Sequence, residues 1–306
     1  GVTPQEAFEI DAASPVLDDA KTFAAWNVVA TDTNSPKFRA LRIYQRLLIF
    51  HLAKVDISAL IDLDLQRLRW ANNAAMPNGR SDRYIAQLKA IAAEYTTNPL
   101  SALALAMCAE ELQSRGQKKE AWKIAKEGCQ RFPASDGGVM CQGIINAIEA
   151  KQLQIDTERV SNNPTALARI SWCNIDQVHF RLIDISDREL FRANGYDPES
   201  FSWDEVRGPL SQKPAAEWKT ELEPTPDYNT KAKTIEFPKV KPGFYMLYAS
   251  WKPDFSEGNN AIRYTPVWVT KLGLVVRDRN GVCDGVLADN ETGKPIGKGK
   301  ITAYTF

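Results

Sequence analysis

Gln177-Val178-His179-Phe180-Arg181-Leu182 is the stretch on which the fold turns. Val178, Phe180 and Leu182 fall on one side of an extended chain, with His179 and Arg181 on the other, so the segment reads as a strand with one buried face. Upstream the beat differs. Leu41, Tyr44, Leu48, Leu52 and Val55 keep three-and-four spacing, as do Tyr84, Leu88, Ile91 and Tyr95, which predicts amphipathic helices. Helix-breaking steps stand at Ser35-Pro36, Met76-Pro77-Asn78-Gly79, Asn98-Pro99 and Phe132-Pro133. They divide the region before about residue 161 into roughly seven or eight helices packed in antiparallel pairs. Beyond Asn163-Pro164, segments 233–237, 243–251 and 263–270 repeat the two-residue beat between Pro, Gly, Asp and Asn. The expected organisation is α then β: an all-α helical-hairpin domain over 1–163, an antiparallel β-sandwich over 164–268, and a further β-segment over 269–306.

One helical window places small residues where two helices of a hairpin cross closely: Leu105, Ala109, Leu112, Gly116, Ala121, Ala125, Gly128, Phe132 and Pro133. It resembles a single degenerate tetratricopeptide repeat. The same pattern suits any αα-hairpin, and it does not recur cleanly upstream. In the β-half, residues 186–229 interrupt the strands and carry Phe191, Phe201, Trp203, Leu210 and Trp218. A structureless loop of that length is unusual in a compact domain, so one or two short helices pinned by those aromatics are expected. In the last segment, Leu272-Gly273-Leu274-Val275-Val276 and residues 282–288 read as strands, Asp289-Asn290-Glu291-Thr292-Gly293-Lys294-Pro295 as a turn, and 300–306 as a third strand. Two or three strands cannot bury a face by themselves, so the expectation is a chain that belongs to something larger.

The 38 basic residues cancel the 38 acidic ones, so no overall field favours nucleic acid or an anionic membrane surface, and neither is expected as a partner. No window reaches eighteen uninterrupted apolar residues, which excludes a transmembrane segment in this stretch of sequence. Gly1-Val2-Thr3-Pro4-Gln5 lacks an initiating methionine and an apolar signal core, which suits a mature or engineered start. The cysteines, Cys108, Cys129, Cys141, Cys173 and Cys283, are odd in number and scattered, against a disulfide framework, although Cys129 with Cys141 is one conceivable pair.

A search for chemistry yields little. His51 and His179 stand apart, no Cys-x-x-Cys or His-Glu-x-x-His string exists, and no Gly-x-Ser-x-Gly elbow is present. His51 reads as a core or surface histidine and His179 as a surface one. Gly297-Lys298-Gly299-Lys300 opens a strand and not a helix, so it reads as a hairpin turn rather than a phosphate loop. Asp18-Asp19 and Glu110-Glu111 read as helix-start or solvated charges rather than opposed catalytic carboxylates. No catalytic residue, metal or cofactor is therefore expected, and the chain is not read as an enzyme. Trp203, Trp218, Trp251 and Trp268 with Tyr228, Tyr245 and Tyr264 read as sandwich core. Phe201 and Trp203 in the insertion are the candidates for an exposed interaction surface.

An ordered series of motifs runs through the β-half. It comprises Ala168-Arg169-Ile170-Ser171-Trp172-Cys173-Asn174-Ile175-Asp176-Gln177 through Leu182, then Ile235-Glu236-Phe237-Pro238 and Pro242-Gly243-Phe244-Tyr245-Met246-Leu247-Tyr248. Last come Val269-Thr270-Lys271-Leu272-Gly273-Leu274 and Glu291-Thr292-Gly293-Lys294-Pro295-Ile296. Together they resemble the amino-terminal macroglobulin-type domains of bacterial alpha-2-macroglobulin-like proteins, with Thr292-Gly293-Lys294-Pro295 similar to the opening hairpin of a second such domain. The helical half resembles a segment that some envelope members carry in front. The resemblance implies a non-catalytic structural and interaction segment of a cell-envelope protease inhibitor, acting extracytoplasmically in the periplasm or at the outer membrane. Its implied partners are proteases, met through the full-length protein, and downstream domains of the same chain. Many members hold a thioester in a Cys-x-Glu-Gln string, from which Cys108-Ala109-Glu110-Glu111 departs by its last residue. The alternative reading is a helical-repeat plus β-sandwich module that binds a peptide or glycan.

Overall fold

The computed structural model describes residues 8–76, 80–158, 160–161, 166–186, 201–280 and 282–300. Contacts divide the chain into two units, Gly1–Glu149 and Ala150–Phe306. The first is helical: α1 (Ala20–Ala25), α2 (Pro36–Leu52), α3 (Ile57–Ala74), α4 (Arg80–Glu94), α5 (Leu100–Ser114), α6 (Lys118–Arg131) and α7 (Asp136–Glu149), with short strands β1 (Ile10–Asp11) and β2 (Ala75–Met76) pairing in parallel. The predicted breaks hold. Pro36 opens α2, where its missing N–H costs nothing, and Pro99 precedes α5. Asp19 caps α1 by accepting from the amides of Lys21 and Thr22, and Asp56 caps α3 through the amide of Ala59. α2 stops at Leu52, so Val55, counted into its apolar beat, lies past the helix end and is 96% exposed.

α5 is the central helix, flanked by α4, α6 and α7. Its Ala102, Ala104, Leu105, Ala106, Cys108 and Ala109 are all buried, so small side chains surround it on several sides. The small residues of the predicted hairpin crossing, Ala121, Ala125 and Gly128, form the buried stripe of α6. At the start of α7 the approach is tighter still, for a Cβ on Gly137 would lie 2.1 Å from the Leu103 amide nitrogen.

The helical beat was read as far as residue 161, but strands begin sooner. β3 (Gln152–Thr157) buries Leu153 and Ile155 alternately, and β4 (Val160–Ser161) follows. With β5 (Leu167–Cys173), β6 (Gln177–Asp184), β7 (Ala216–Glu221), β8 (Lys231–Glu236), β9 (Gly243–Ser250) and β10 (Arg263–Val269), they build two sheets, ordered β3-β5-β8 and β4-β10-β9-β6-β7. Pairing is antiparallel except between β4 and β10, which run parallel. β3 is tied to β10 where Thr157 Oγ1 donates to Pro266 O at 3.1 Å and Arg263 Nε donates to Leu153 O at 2.9 Å. Pro266, which offers no N–H, sits outside the two-residue stretch that pairs with β4.

Between the sheets lies one core, in which Leu153, Ile155, Ala168, Ile170 and Trp172 meet Val178, Phe180, Leu182, Tyr245, Leu247, Ala249 and Val267. The face predicted for Val178, Phe180 and Leu182 is therefore the inter-sheet face. The insertion holds a short helix, α8 (Trp203–Arg207), and a 3-10 turn at Pro209–Ser211, as expected, but it also supplies β7, which was not. Trp218 of β7 stacks on Phe180 of β6 with ring centroids 5.0 Å apart. Phe191 lies outside the described residues.

A separate hairpin, β11 (Leu272–Arg279) with β12 (Val282–Asp289), follows in the register Leu274↔Leu287 and Val275↔Val286. The turn after it bends back as predicted: Gly293 adopts φ 68°, its amide donates to Asp289 O at 2.8 Å, and Ala288 bridges Pro295. Residues 301–306, which hold most of the expected third strand, lie outside the described residues.

Candidate functional site

His179 and Arg181 were read as solvent-facing, yet the outer face of the five-stranded sheet is covered. Ile183, Phe244, Met246 and Tyr248 on that face pack under Phe201 and Val206, joined by Phe255 from the β9–β10 connection, in a second core. This is why β9 is buried from Phe244 to Ser250 with no polar alternation. The α8 cover is fixed at its start by Ser202 and Glu205, where the Glu205 carboxylate accepts from both the amide and the hydroxyl of Ser202 at 2.7 and 2.6 Å. It is fixed from below by Tyr248, whose hydroxyl donates to Val206 O at 2.5 Å and whose burial pushes its pKa up. Trp203 stacks on Tyr264 with centroids 5.9 Å apart, and Tyr264 donates to Phe201 O.

Phe201 and Trp203 thus share one cluster in unlike positions. Phe201 is buried at 8% exposure, whereas Trp203 is half-buried and lines a cleft of about 360 Å3. The same cleft is lined by Arg207, paired with Glu257 at 3.3 Å where both are exposed, and by Arg181, whose guanidinium lies 4.4 Å from the Phe255 ring centre and donates to Glu217 at 2.9 Å. Asp254 on the rim accepts from the Ser256 amide and hydroxyl, which holds its carboxyl below the usual range. Phe255 adopts φ 55°, a left-handed conformation that a bulky residue takes only when packing demands it. The connection is braced for this: Asn260 Nδ2 donates to Ser250 Oγ and to Ser256 O, and Lys252 Nζ donates to Gly258 O. The cleft offers an aromatic wall with charges of both signs at its mouth.

The β11–β12 hairpin presents a second kind of surface. Leu272, Leu274 and Val276 point to one side, and Val275 with Val286 to the other, all between 46% and 72% exposed. Arg277 and Asp284 pair across the strands at 2.9 Å. Among the described residues each strand of the hairpin has no sheet neighbour beyond the other.

In the helical unit a cavity of about 220 Å3 is bordered by Asp19, Lys21, Ile61, Asp64, Glu94 and Tyr95. Beside it lies a group that sequence alone did not single out. The Arg67 side chain is fully buried, donates to Asp64 Oδ1 from Nε and Nη2 at 2.8 and 2.6 Å, and reaches Val16 O and Asp18 O at 2.6 and 2.7 Å. Its carbon centre lies 4.7 Å from the Phe23 ring centre. Burial raises the Asp64 carboxyl above its ordinary pKa, against the pull of Arg67. An arginine on a helix reads as a solvated charge until the segment that covers it is known.

The remaining sequence candidates fall into ordinary places. Cys108, Cys129, Cys141 and Cys173 are free thiols, so the conceivable Cys129–Cys141 bridge is not formed. Burial pushes Cys108 up to about 11 and Cys141 up to about 12, which leaves both unreactive near neutrality. Glu111, after Cys108, accepts from Asn72 Nδ2 at 3.1 Å and from the Ser81 hydroxyl, a bridge to α3 and α4. His179 is half-buried between Lys219 and Ser250 on neighbouring strands, and burial lowers its pKa. Among the described residues no cluster of three potential metal ligands exists, and no helix is long and apolar enough to cross a membrane.

No protein-family model matches the sequence, and no curated protein sequence matches it. Solved structures do show a likeness. Native alpha-2-macroglobulin from Escherichia coli, spanning domains MG0-NIE-MG1, is similar at 13% identity over 47% of this chain and 48% of that one, with a TM-score of 0.34. A structure of the same protein spanning NIE-MG1 is similar at 10% identity over 47% and 73%, with a TM-score of 0.32. The CARDB domain of a Pyrococcus furiosus protein in complex with di-metal ions is similar at 15% identity over 39% and 87%, with a TM-score of 0.22. The match thus spans about half of the first of these structures. The likeness is distant and one of structure.

Proposed function

We propose that this chain is a non-catalytic amino-terminal segment of an alpha-2-macroglobulin-like cell-envelope protein, with a structural and interaction role in endopeptidase inhibition by protease trapping. The observation that carries the reading is the β11–β12 hairpin, apolar on both faces and, among the described residues, without a further strand beside β11, while residues 294–296 hydrogen-bond part of the β12 edge. An isolated hairpin is marginal in water, and covering it gains roughly 1 kcal/mol for each half-exposed Leu or Val. Such a hairpin is suited to be the first pair of strands in a following domain of the macroglobulin type. The motif order from Ala168 to Ile296 supports the same reading. On it, the partners are downstream domains of the chain and, through the full-length protein, proteases, and the location is extracytoplasmic.

Amide hydrogen exchange tests the hairpin's part. Within the full-length protein the amides of β11 and β12 are expected to exchange at least about 100-fold more slowly than in the 306-residue chain. Equal exchange in the two would remove the reading. Failure of the full-length protein to retain an added endopeptidase on size exclusion would remove the inhibitory role while leaving the architecture.

A second reading rests on the cleft beside Trp203, which has the aromatic wall and mixed charges of a site for a peptide or glycan. Peptide or glycan-array binding by the chain, lost on Trp203→Ala while the fold is kept, is the result it requires. Binding that survives Trp203→Ala excludes this cleft.

A further inference from the structure

The balanced charge of the whole chain hides a local segregation in α2. Between Asp32 and Asp56 there is no aspartate or glutamate, while Lys37, Arg39, Arg42, Arg46 and Lys54 all fall in that interval. The inner side of α2 is spent on the core through Leu41, Gln45 and Leu48. Gln45 Nε2 donates to Phe23 O and Trp26 O, which sets the helix's rotation. The opposite side is not polar, as an outward helix face usually is. Ile43, Leu47 and Phe50 follow one another at helical spacing and are 42–56% exposed, between Arg39 and Arg46 on one flank and Lys54 at the end. The Lys54 ammonium lies 5.1 Å from the Phe50 ring centre. Val55 and Ile57 are both exposed at the turn into α3, on either side of Asp56, whose carboxylate accepts from the Ala59 amide.

We propose that this face of α2, with the turn at Val55, docks on an anionic lipid bilayer surface. A second copy is a poor occupant, because a two-fold contact would press basic rows together. A partner protein would have to match apolar and cationic groups interleaved on one convex helix. A headgroup layer accepts both at once: the arginines and Lys54 stay with the lipid phosphates while Ile43, Leu47, Phe50 and Val55 enter the acyl boundary. Each basic side chain near such a surface contributes enough for about a fivefold change in partitioning.

The test is co-sedimentation of the full chain with vesicles of phosphatidylcholine alone or with about 30% phosphatidylglycerol at about 0.1 M salt. Binding is expected only to the anionic vesicles. The pair Arg39→Gln with Arg46→Gln is expected to weaken it about 30-fold, and Phe50→Ser about 10-fold. The pair Lys219→Gln with Lys231→Gln removes the same charge elsewhere and should change it less than about threefold. All these side chains are outward, and far-UV circular dichroism establishes that each variant is folded. No binding to either vesicle, equal binding to both, or equal losses from the two double variants would overturn the proposal. Capture of a polyglutamate peptide without vesicle binding would overturn it in favour of an acidic protein.

Discussion

Arg67→Ala is expected to lower the stability of the helical unit by about 3–5 kcal/mol, because it strands a buried carboxylate. Arg67 joins α3 to the segment before α1 through Val16 O and Asp18 O, and no other side chain reaches those carbonyls among the described hydrogen bonds. Truncation to alanine removes four hydrogen bonds and the stacking on Phe23, and leaves Asp64, itself 6% exposed, without its cation. A thermal midpoint lower by about 10 °C follows for a unit of this size. The loss should also depend on pH. Burial raises the Asp64 pKa in the folded state and Arg67 opposes the rise, so removing Arg67 raises it further. For a carboxyl with a raised folded pKa, stability is intact below the unfolded value of about 4 and is lost as pH rises through the folded one. The deficit of the variant against the wild type should thus be smaller at about pH 4 than at about pH 7. Urea unfolding of both proteins at the two pH values measures it. A deficit under about 1 kcal/mol, or one that is the same at both, would contradict the assigned role.

Arg67 also marks where reading the sequence stops. Its neighbours in sequence, Gln66 and Leu68, give it the look of one more charge on an amphipathic helix, and its partners are supplied from residues 16 and 18. The breaks at Pro36, Pro99 and Pro133, and the inward row Val178, Phe180 and Leu182, were legible because they depend on local sterics and a two- or three-residue period. β3 was not, since six residues with one alternation, Gln-Leu-Gln-Ile-Asp-Thr, do not outweigh the helical beat before them. β7 was hidden by its composition, Ala-Glu-Trp-Lys-Thr-Glu, poor in β-branched residues and sheltered by Phe180 only after folding. The outer face of β6 was misread for a related reason. Arg181 is polar by sequence, and what turns its surroundings into a cleft is Phe255, seventy-odd residues later in a conformation with φ 55° that no local rule predicts.

Gly137→Ala is expected to reverse the usual sign of a glycine-to-alanine change inside a helix. Alanine is favoured over glycine by about 1 kcal/mol in a helix interior, and α7 carries Gly143 as well as Gly137. At Gly143 a Cβ meets nothing within 4 Å, so Gly143→Ala is expected to stabilise by up to about 1 kcal/mol. At Gly137 the same methyl would lie 2.1 Å from the Leu103 nitrogen and 2.4 Å from the Ala102 carbonyl carbon, both backbone atoms of α5. A side chain could turn aside; a helix backbone can yield only by moving. α5 has little room to move, being held by α4 and α6 on its other sides with Ala104, Ala106 and Ala109 fully buried. The expected cost is about 3 kcal/mol, the upper end for overpacking, which lowers the thermal midpoint by about 10 °C. Calorimetry on the two single variants decides the matter, since they share a helix and a chemical change and differ in what stands opposite, with Gly137 in the first turn, where the propensity gain is smaller, and Gly143 in the interior. If Gly137→Ala proves neutral, α7 does not touch α5 backbone to backbone. If Gly143→Ala costs as much as Gly137→Ala, the penalty belongs to the helix and not to the contact.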